Sequence, residues 1–159
     1  MREKEVESVV CDVLRRMRAS GTMNLALATR LMDHLEAEAA RMGVKAVVAI
    51  FDAAGRPVAV HCMDGAYIGS YDVAVCKAYT AVAFQMSTAE LGRLAAPGGP
   101  LYGIQNTNDG KIVIFGGGEP LFVDGVMIGA IGVSGGTAEQ DTELGAYVKN
   151  IVKEVIDWK

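Results

Sequence analysis

Histidine is scarce in this sequence. The 159 residues hold only His34 and His61. Two histidines and no paired catalytic carboxylates argue against a mononuclear metallo-hydrolase. Cysteine is equally sparse: Cys11, Cys62 and Cys76 are scattered, and no C-x-x-C occurs. Neither a zinc site nor a disulfide framework is expected from such a set. Three thiols without a pairing pattern suit a reducing cytosol, and the polar N-terminus does not read as a signal peptide. The expected location is cytoplasmic. No apolar run approaches 18 residues, so no membrane partner is expected. Basic residues cluster only at Arg15, Arg16 and Arg18, and the net charge is −4, which argues against a nucleic-acid partner. The G-x-x-x-x-G-K-[ST] string of a phosphate loop is missing, as is G-x-G-x-x-G.

What remains fits one domain. Just over half the residues are hydrophobic and 21% are charged, the balance of a globular fold with a real core. The first segment, EKEVESVVCDVLRRM (3–17), places Val6, Val9, Val10, Val13, Leu14 and Met17 on one helical stripe. Acids lie in its first turns and Arg15 and Arg16 in its last, which complements the helix dipole. A break follows at Ala19-Ser20-Gly21. The organisation is therefore an amphipathic helix and linker over 1–20, and a domain over 21–159.

Within that domain, NLALATRLMDHLEAEAARM reads as a helix capped by Asn24 or Thr22 and ended by Gly43. Its expected stripe is Leu25, Ala28, Met32, Leu35, Ala39 and Met42. Two β-rich runs, 44–52 and 57–63, flank Asp-Ala-Ala-Gly as a hairpin. Helical spacing returns over 67–86 through Ile68, Tyr71, Val75, Tyr79 and Val82. Ser87 caps a short helix, and AAPGGP (95–100) is a stiff loop. KIVIF, EPLFV and VMIGAIGV read as three more strands, the last two joined by the Asp124-Gly125 turn. Thr137 and Gln140 form a capping box before a final helix with the stripe Leu144, Val148, Ile151 and Val155. Tight hairpins make the sheet mostly antiparallel, which gives an α+β class.

Three ordered stretches resemble the GlcG/HbpS family, to which the C-terminal domain of PduO also belongs. They are MDGAYIGSYDVAVCKAYTAVAF, PGGPLYGIQ and IVIFGGGEPLFVDGVMIGAIGVSGGTAEQD. The likeness runs from about Leu25 to Val152. It implies a profilin-like fold with a five-stranded, mostly antiparallel sheet packed with helices. It also implies a homo-oligomer and, as in some members, haem as the cofactor. The adenosyltransferase activity of PduO lies in a different domain and does not carry over. Residues 3–17 resemble the encapsulation peptides of bacterial microcompartment cargo, which implies shell or cargo proteins as partners and the compartment lumen as a location. An ordinary helix packed on the domain accounts for the same pattern.

The candidate site residues are read from the chain itself, and the resemblance adds only that the KAYT stretch around Lys77 belongs to the recurring pattern; neither histidine matches a family ligand. His61 is the first choice for a haem-iron ligand and His34 the second; for His34, pairing with Glu38 one turn on is the plainer reading. Lys77 shares a helix stripe with Val73, Thr80 and Phe84. In a pocket it would neutralise a haem propionate or a small organic acid; otherwise it snorkels to solvent. Tyr67 and Asp64 would begin the same helix and line the same cavity with Thr80, or Asp64 would merely cap it. Gly98 and Gly99 would offer backbone N–H groups to a ligand, or form a stiff connector. Gly129 and Gly132 would permit close backbone approach, and Gly116 to Gly118 a bulge or turn.

No nucleophile–base–orienter set can be read, which points away from an enzyme. The reading is an accessory protein that binds haem, a related tetrapyrrole or a small acidic metabolite. A small isomerase, lyase or haem-degrading enzyme using Lys77, and an oligomeric scaffold, are the alternatives.

Overall fold

The computed structural model describes residues 3–19 and 23–156. Helix α1 spans Glu3–Ala19 and α2 spans Leu25–Arg41. Strands β1 (Val47–Asp52) and β2 (Pro57–Cys62) form a hairpin. Helices α3 (Ser70–Phe84) and α4 (Thr88–Leu94) follow, then two short 3-10 turns. Strands β3 (Gly118–Val123) and β4 (Val126–Ser134) form the second hairpin, and α5 (Ala138–Val155) completes the order. Among the described residues no helix is long and apolar enough to cross a membrane. The break at Ser20-Gly21, the alternative cap Thr22 and the division at 20/21 lie outside the described residues.

The two hairpins join through β1 and β4 into an antiparallel sheet of order β2-β1-β4-β3. Helices α2 and α5 pack together on one face, where Val48, Ile50, Leu121, Ile131 and Val133 meet Leu31, Leu35, Leu144 and Val148. Helix α3 covers the other face, where Val47, Ala49, Phe51 and Ala130 meet Ala74, Ala78 and Ala81. Burial on both sides explains why β1 is apolar almost throughout. The α+β class stands.

The sheet has four strands, not five. The KIVIF run, 111–115, forms no strand and pairs with none; Lys111 itself closes the preceding 3-10 turn with helical angles. Its backbone is taken up by a helix side chain instead. Thr80 Oγ1 accepts the Val113 N–H at 3.0 Å and lies 3.3 Å from the Lys111 carbonyl. The run also presses on α4, for a Cβ at Gly92 would stand 2.0 Å from the Ile114 carbonyl oxygen.

Helix stripes shift for equally local reasons. In α3 the buried face is Ala74, Ala78 and Ala81 rather than the expected Ile68, Tyr71 and Tyr79. The helix lies so close to β4 that a Cβ at Gly132 would stand 2.0 Å from the Ala74 carbonyl oxygen, which leaves room only for small residues. The expected start at residue 67 moves to Ser70, and Ile68 is fully exposed. In α2, Leu25 is exposed while Leu27 and Leu31 are buried. In α5 the deep residues are Leu144, Val148 and Val152.

The local signals hold where the chemistry is short-range. Asn24 Oδ1 caps α2 by accepting the Leu27 N–H at 2.9 Å. Thr137 and Gln140 bond reciprocally as a capping box. Asp124 and Gly125 both take positive φ, 49° and 78°, as the two-residue turn demands.

Candidate functional site

His61 stands on the edge strand β2, in register with Val48 of β1. Residues paired across an antiparallel ladder share a face, so His61 projects toward α2. There its Nδ1 lies 2.7 Å from Glu36 Oε1. The two side chains are 38% and 31% exposed. In the tautomer that donates Nδ1–H to this carboxylate, Nε2 is the ring nitrogen left to meet a ligand. This is the arrangement that orients an imidazole as a metal ligand.

Beside the pair opens a cleft of about 590 Å³, a size suited to a small organic ligand or cofactor. Glu36, Val44, Lys45, Cys62, Met63 and Asp64 line it. The wall is partly apolar through Val44 and Met63. Lys45 supplies a cation, its ammonium lying 3.0 Å from where a Cβ on Gly65 would stand. Gly65 takes a φ of +80°, so the chain turns there under the lysine stem.

Lys77 lies on the other face of the sheet, on α3. Its side chain is fully buried, and its Nζ donates to Asp141 Oδ2 at 2.8 Å and to the Val133 carbonyl at 2.7 Å. The Phe115 ring covers it, with the centroid 5.0 Å from Nζ. Burial pulls the ammonium below the ordinary lysine range, while the hydrogen bond and charge of Asp141 oppose that shift. Asp141 is itself held, its Oδ1 accepting the Gly136 N–H at 2.9 Å. The carboxylate that Lys77 meets is thus one of the chain's own.

The triple glycine threads between these groups. A Cβ at Gly117 would come within 2.6 Å of the Val133 carbonyl oxygen and 2.7 Å of Lys77 Nζ. Gly118 donates its N–H to Thr88 Oγ1 at 2.9 Å. Here glycine serves close backbone crossing rather than phosphate binding.

The other expected residues disperse. Asp64 lines the cleft with Glu36 and Lys45, away from the Lys77 face. Neither Asp64 nor Tyr67 lies in α3, since both precede Ser70, and the cap position Gly69 makes no side-chain bond. Tyr67 is 76% exposed. Thr80 is buried and anchors the 111–113 segment. The Gly99 N–H goes to the Ala96 carbonyl, and Gly98 sits in an open turn with φ +81°. His34 is exposed, and Glu38 pairs with Arg41 rather than with it. Among the described residues no group of three His, Cys, Asp or Glu side chains could hold a metal ion unaided. The Glu36 partner of His61 was legible only as an acid at position 36. Its α2 neighbours Met32 and Leu35 are core, which places Glu36 at the border of the buried stripe.

Residues 23–148 match the family model for the haem degrading protein HbpS-like group. The uncharacterized 15.0 kDa protein of the dhaT-dhaS intergenic region of Citrobacter freundii is 43% identical over 120 residues, 76% of this chain and 84% of that protein. The corrinoid adenosyltransferase PduO of Salmonella typhimurium is 42% identical over 106 residues, 67% of this chain but 32% of PduO. A solved structure of PduOC in complex with haem superposes with a TM-score of 0.78 at 35% identity, covering 85% of this chain and 95% of that one.

Proposed function

Because the chain belongs to the HbpS-like family, we propose that it is an accessory protein that binds haem or a related tetrapyrrole in the cleft beside His61. The observation that carries this reading is the 2.7 Å contact between His61 Nδ1 and Glu36, which ties a partly exposed imidazole to a residue of the cleft wall. The residues present fit such a group. Val44 and Met63 of the cleft wall would offer apolar contact and Lys45 the cation for a propionate, while His61, joined to the wall through Glu36, would supply the iron ligand through Nε2. Bound haem would supply an iron centre for ligand binding or redox chemistry, and this chain's residues would hold and orient it. The haem complex of the related PduOC supports the same ligand class. In this reading Lys77 organises the fold, and the propionate partner passes to Lys45. His34, exposed on α2, is the lesser ligand.

The second part of the proposal concerns place. The relatives of the Pdu type and the amphipathic α1 support microcompartment cargo, with residues 3–17 docking on shell or cargo proteins. Titration of the purified protein with hemin tests the first part. Wild type and His34→Ala should give a sharpened, saturable Soret band, and His61→Ala should lose it. An identical weak spectrum from all three sinks the assignment. For the second part, the full chain fused to a fluorescent protein should form puncta only with shell proteins present, and a version without residues 1–20 should stay diffuse.

A further inference from the structure

Helix α1 carries an apolar stripe that the domain leaves open. Val6, Val9, Val10, Val13 and Leu14 are between 40% and 58% exposed, although the helix approaches β4. Four of these five are valine, whose branched Cβ disfavours an unsupported helix. A helix of this length in water is marginal without a partner. The stripe therefore calls for an occupant.

Charge names that occupant. Residues 3–12 hold four acids, Glu3, Glu5, Glu7 and Asp12, and one lysine, Lys4. Residues 13–19 hold three arginines, Arg15, Arg16 and Arg18, and no acid. The helix is thus acidic in its first half and basic in its second. A second copy of α1 laid antiparallel sets acidic half against basic half at both ends, while a parallel copy sets like against like. Antiparallel packing also opposes the two helix dipoles favourably. Val6, Val10 and Val13 fall at alternating four- and three-residue steps, the spacing that lets two helices interlock along a seam.

We propose that α1 is a self-association element, and that two copies of the chain pair through antiparallel α1 helices along the Val6–Leu14 stripe. The inference rests on the reading of α1 as a docking element and identifies its partner as another copy of this chain. It is tested apart from encapsulation, because it needs no shell protein.

Sedimentation velocity on the purified full chain across a hundredfold concentration range gives the test. The Val9→Asp/Val13→Asp variant should show half the wild-type mass at a concentration where wild type is associated, with the domain's near-ultraviolet circular dichroism unchanged. Glu3→Lys/Glu7→Lys and Arg16→Glu/Arg18→Glu should each weaken association at least tenfold. An equal mixture of those two variants should regain it. The proposal is overturned if the valine variant keeps the wild-type mass and concentration dependence. It is also overturned if Glu3→Lys/Glu7→Lys strengthens association, since that is the behaviour of a parallel pair.

Discussion

Lys77 and Asp141 lie 64 positions apart, on α3 and at the start of α5, and meet 2.8 Å apart with almost no solvent around them. Between them they tie together α3, the end of β4 and the first turn of α5, because Lys77 also bonds the Val133 carbonyl and Asp141 the Gly136 N–H. The buried pair and its two backbone bonds thus link α3, β4 and α5 at one point.

Breaking that pair from one side leaves a charge without its partner. Asp141→Asn should cost about 3–5 kcal/mol of stability in urea unfolding. Lys77→Met removes the cation and strands the Asp141 carboxylate, with a similar loss. The double variant Lys77→Met/Asp141→Asn should unfold at a higher urea concentration than Asp141→Asn alone, because neither charge is then buried unpaired. Strictly additive losses would mean that the two groups are not coupled.

The triple glycine gives a contrast between strain and space. Gly117 has a φ of +116° and backbone or charged atoms within 2.7 Å of any added Cβ. Gly117→Ala should cost about 3 kcal/mol or more. Gly98 has a φ of +81° with nothing within 4 Å. Gly98→Ala should cost only about 1 kcal/mol, the conformational share alone. Thermal unfolding of both variants checks the difference, and equal losses would show that the crossing at Gly117 is not tight.

These residues also show what could be read in advance. The Thr137–Gln140 box, the Asn24 cap and the Asp124-Gly125 turn are each settled within three residues, so sequence alone reveals them. The Lys77–Asp141 and Glu36–His61 pairs join residues 64 and 25 apart and depend on which helix covers which sheet face. His61 and Lys77 were expected around one ligand, but β2 and α3 put them on opposite faces of the sheet within a chain. KIVIF has the composition of a strand, and only its capture by Thr80 and its contact with Gly92 decide otherwise.

Acid should loosen the first hairpin through Asp52. Partial burial pushes its carboxyl up, but hydrogen bonds from the Arg56 and Ala54 N–H groups and the Arg56 guanidinium outweigh burial, so the net shift is downward. Its Oδ1 accepts both N–H groups, at 3.0 and 2.9 Å, and its Oδ2 accepts from Arg56 Nε at 3.0 Å. A carboxylate whose folded value lies below its unfolded one adds stability above the unfolded value, 3.8, and loses it as pH falls through the folded value. Wild type should therefore lose more stability than Asp52→Asn between roughly pH 5 and pH 2. Asp52→Ala, which lacks the acceptors, should be weaker by about 1–3 kcal/mol already at neutral pH. Parallel acid profiles for wild type and Asp52→Asn would remove Asp52 from the account.

Glu36 separates an orienting carboxylate from a mere neighbour. It lines the cleft and is placed to act through His61, whose Nδ1 it meets at 2.7 Å. Loss of such a supporting partner usually lowers metal affinity by about 10- to 100-fold without abolishing ligation. Glu36→Ala should therefore weaken hemin binding by that factor, yet keep a ligated Soret band that His61→Ala lacks. Glu36→Gln, which still offers a carbonyl oxygen to Nδ1–H, should recover most of the affinity. A Glu36→Ala titration curve that overlays wild type would show that the imidazole needs no such support, and one as flat as His61→Ala would make Glu36 a direct participant.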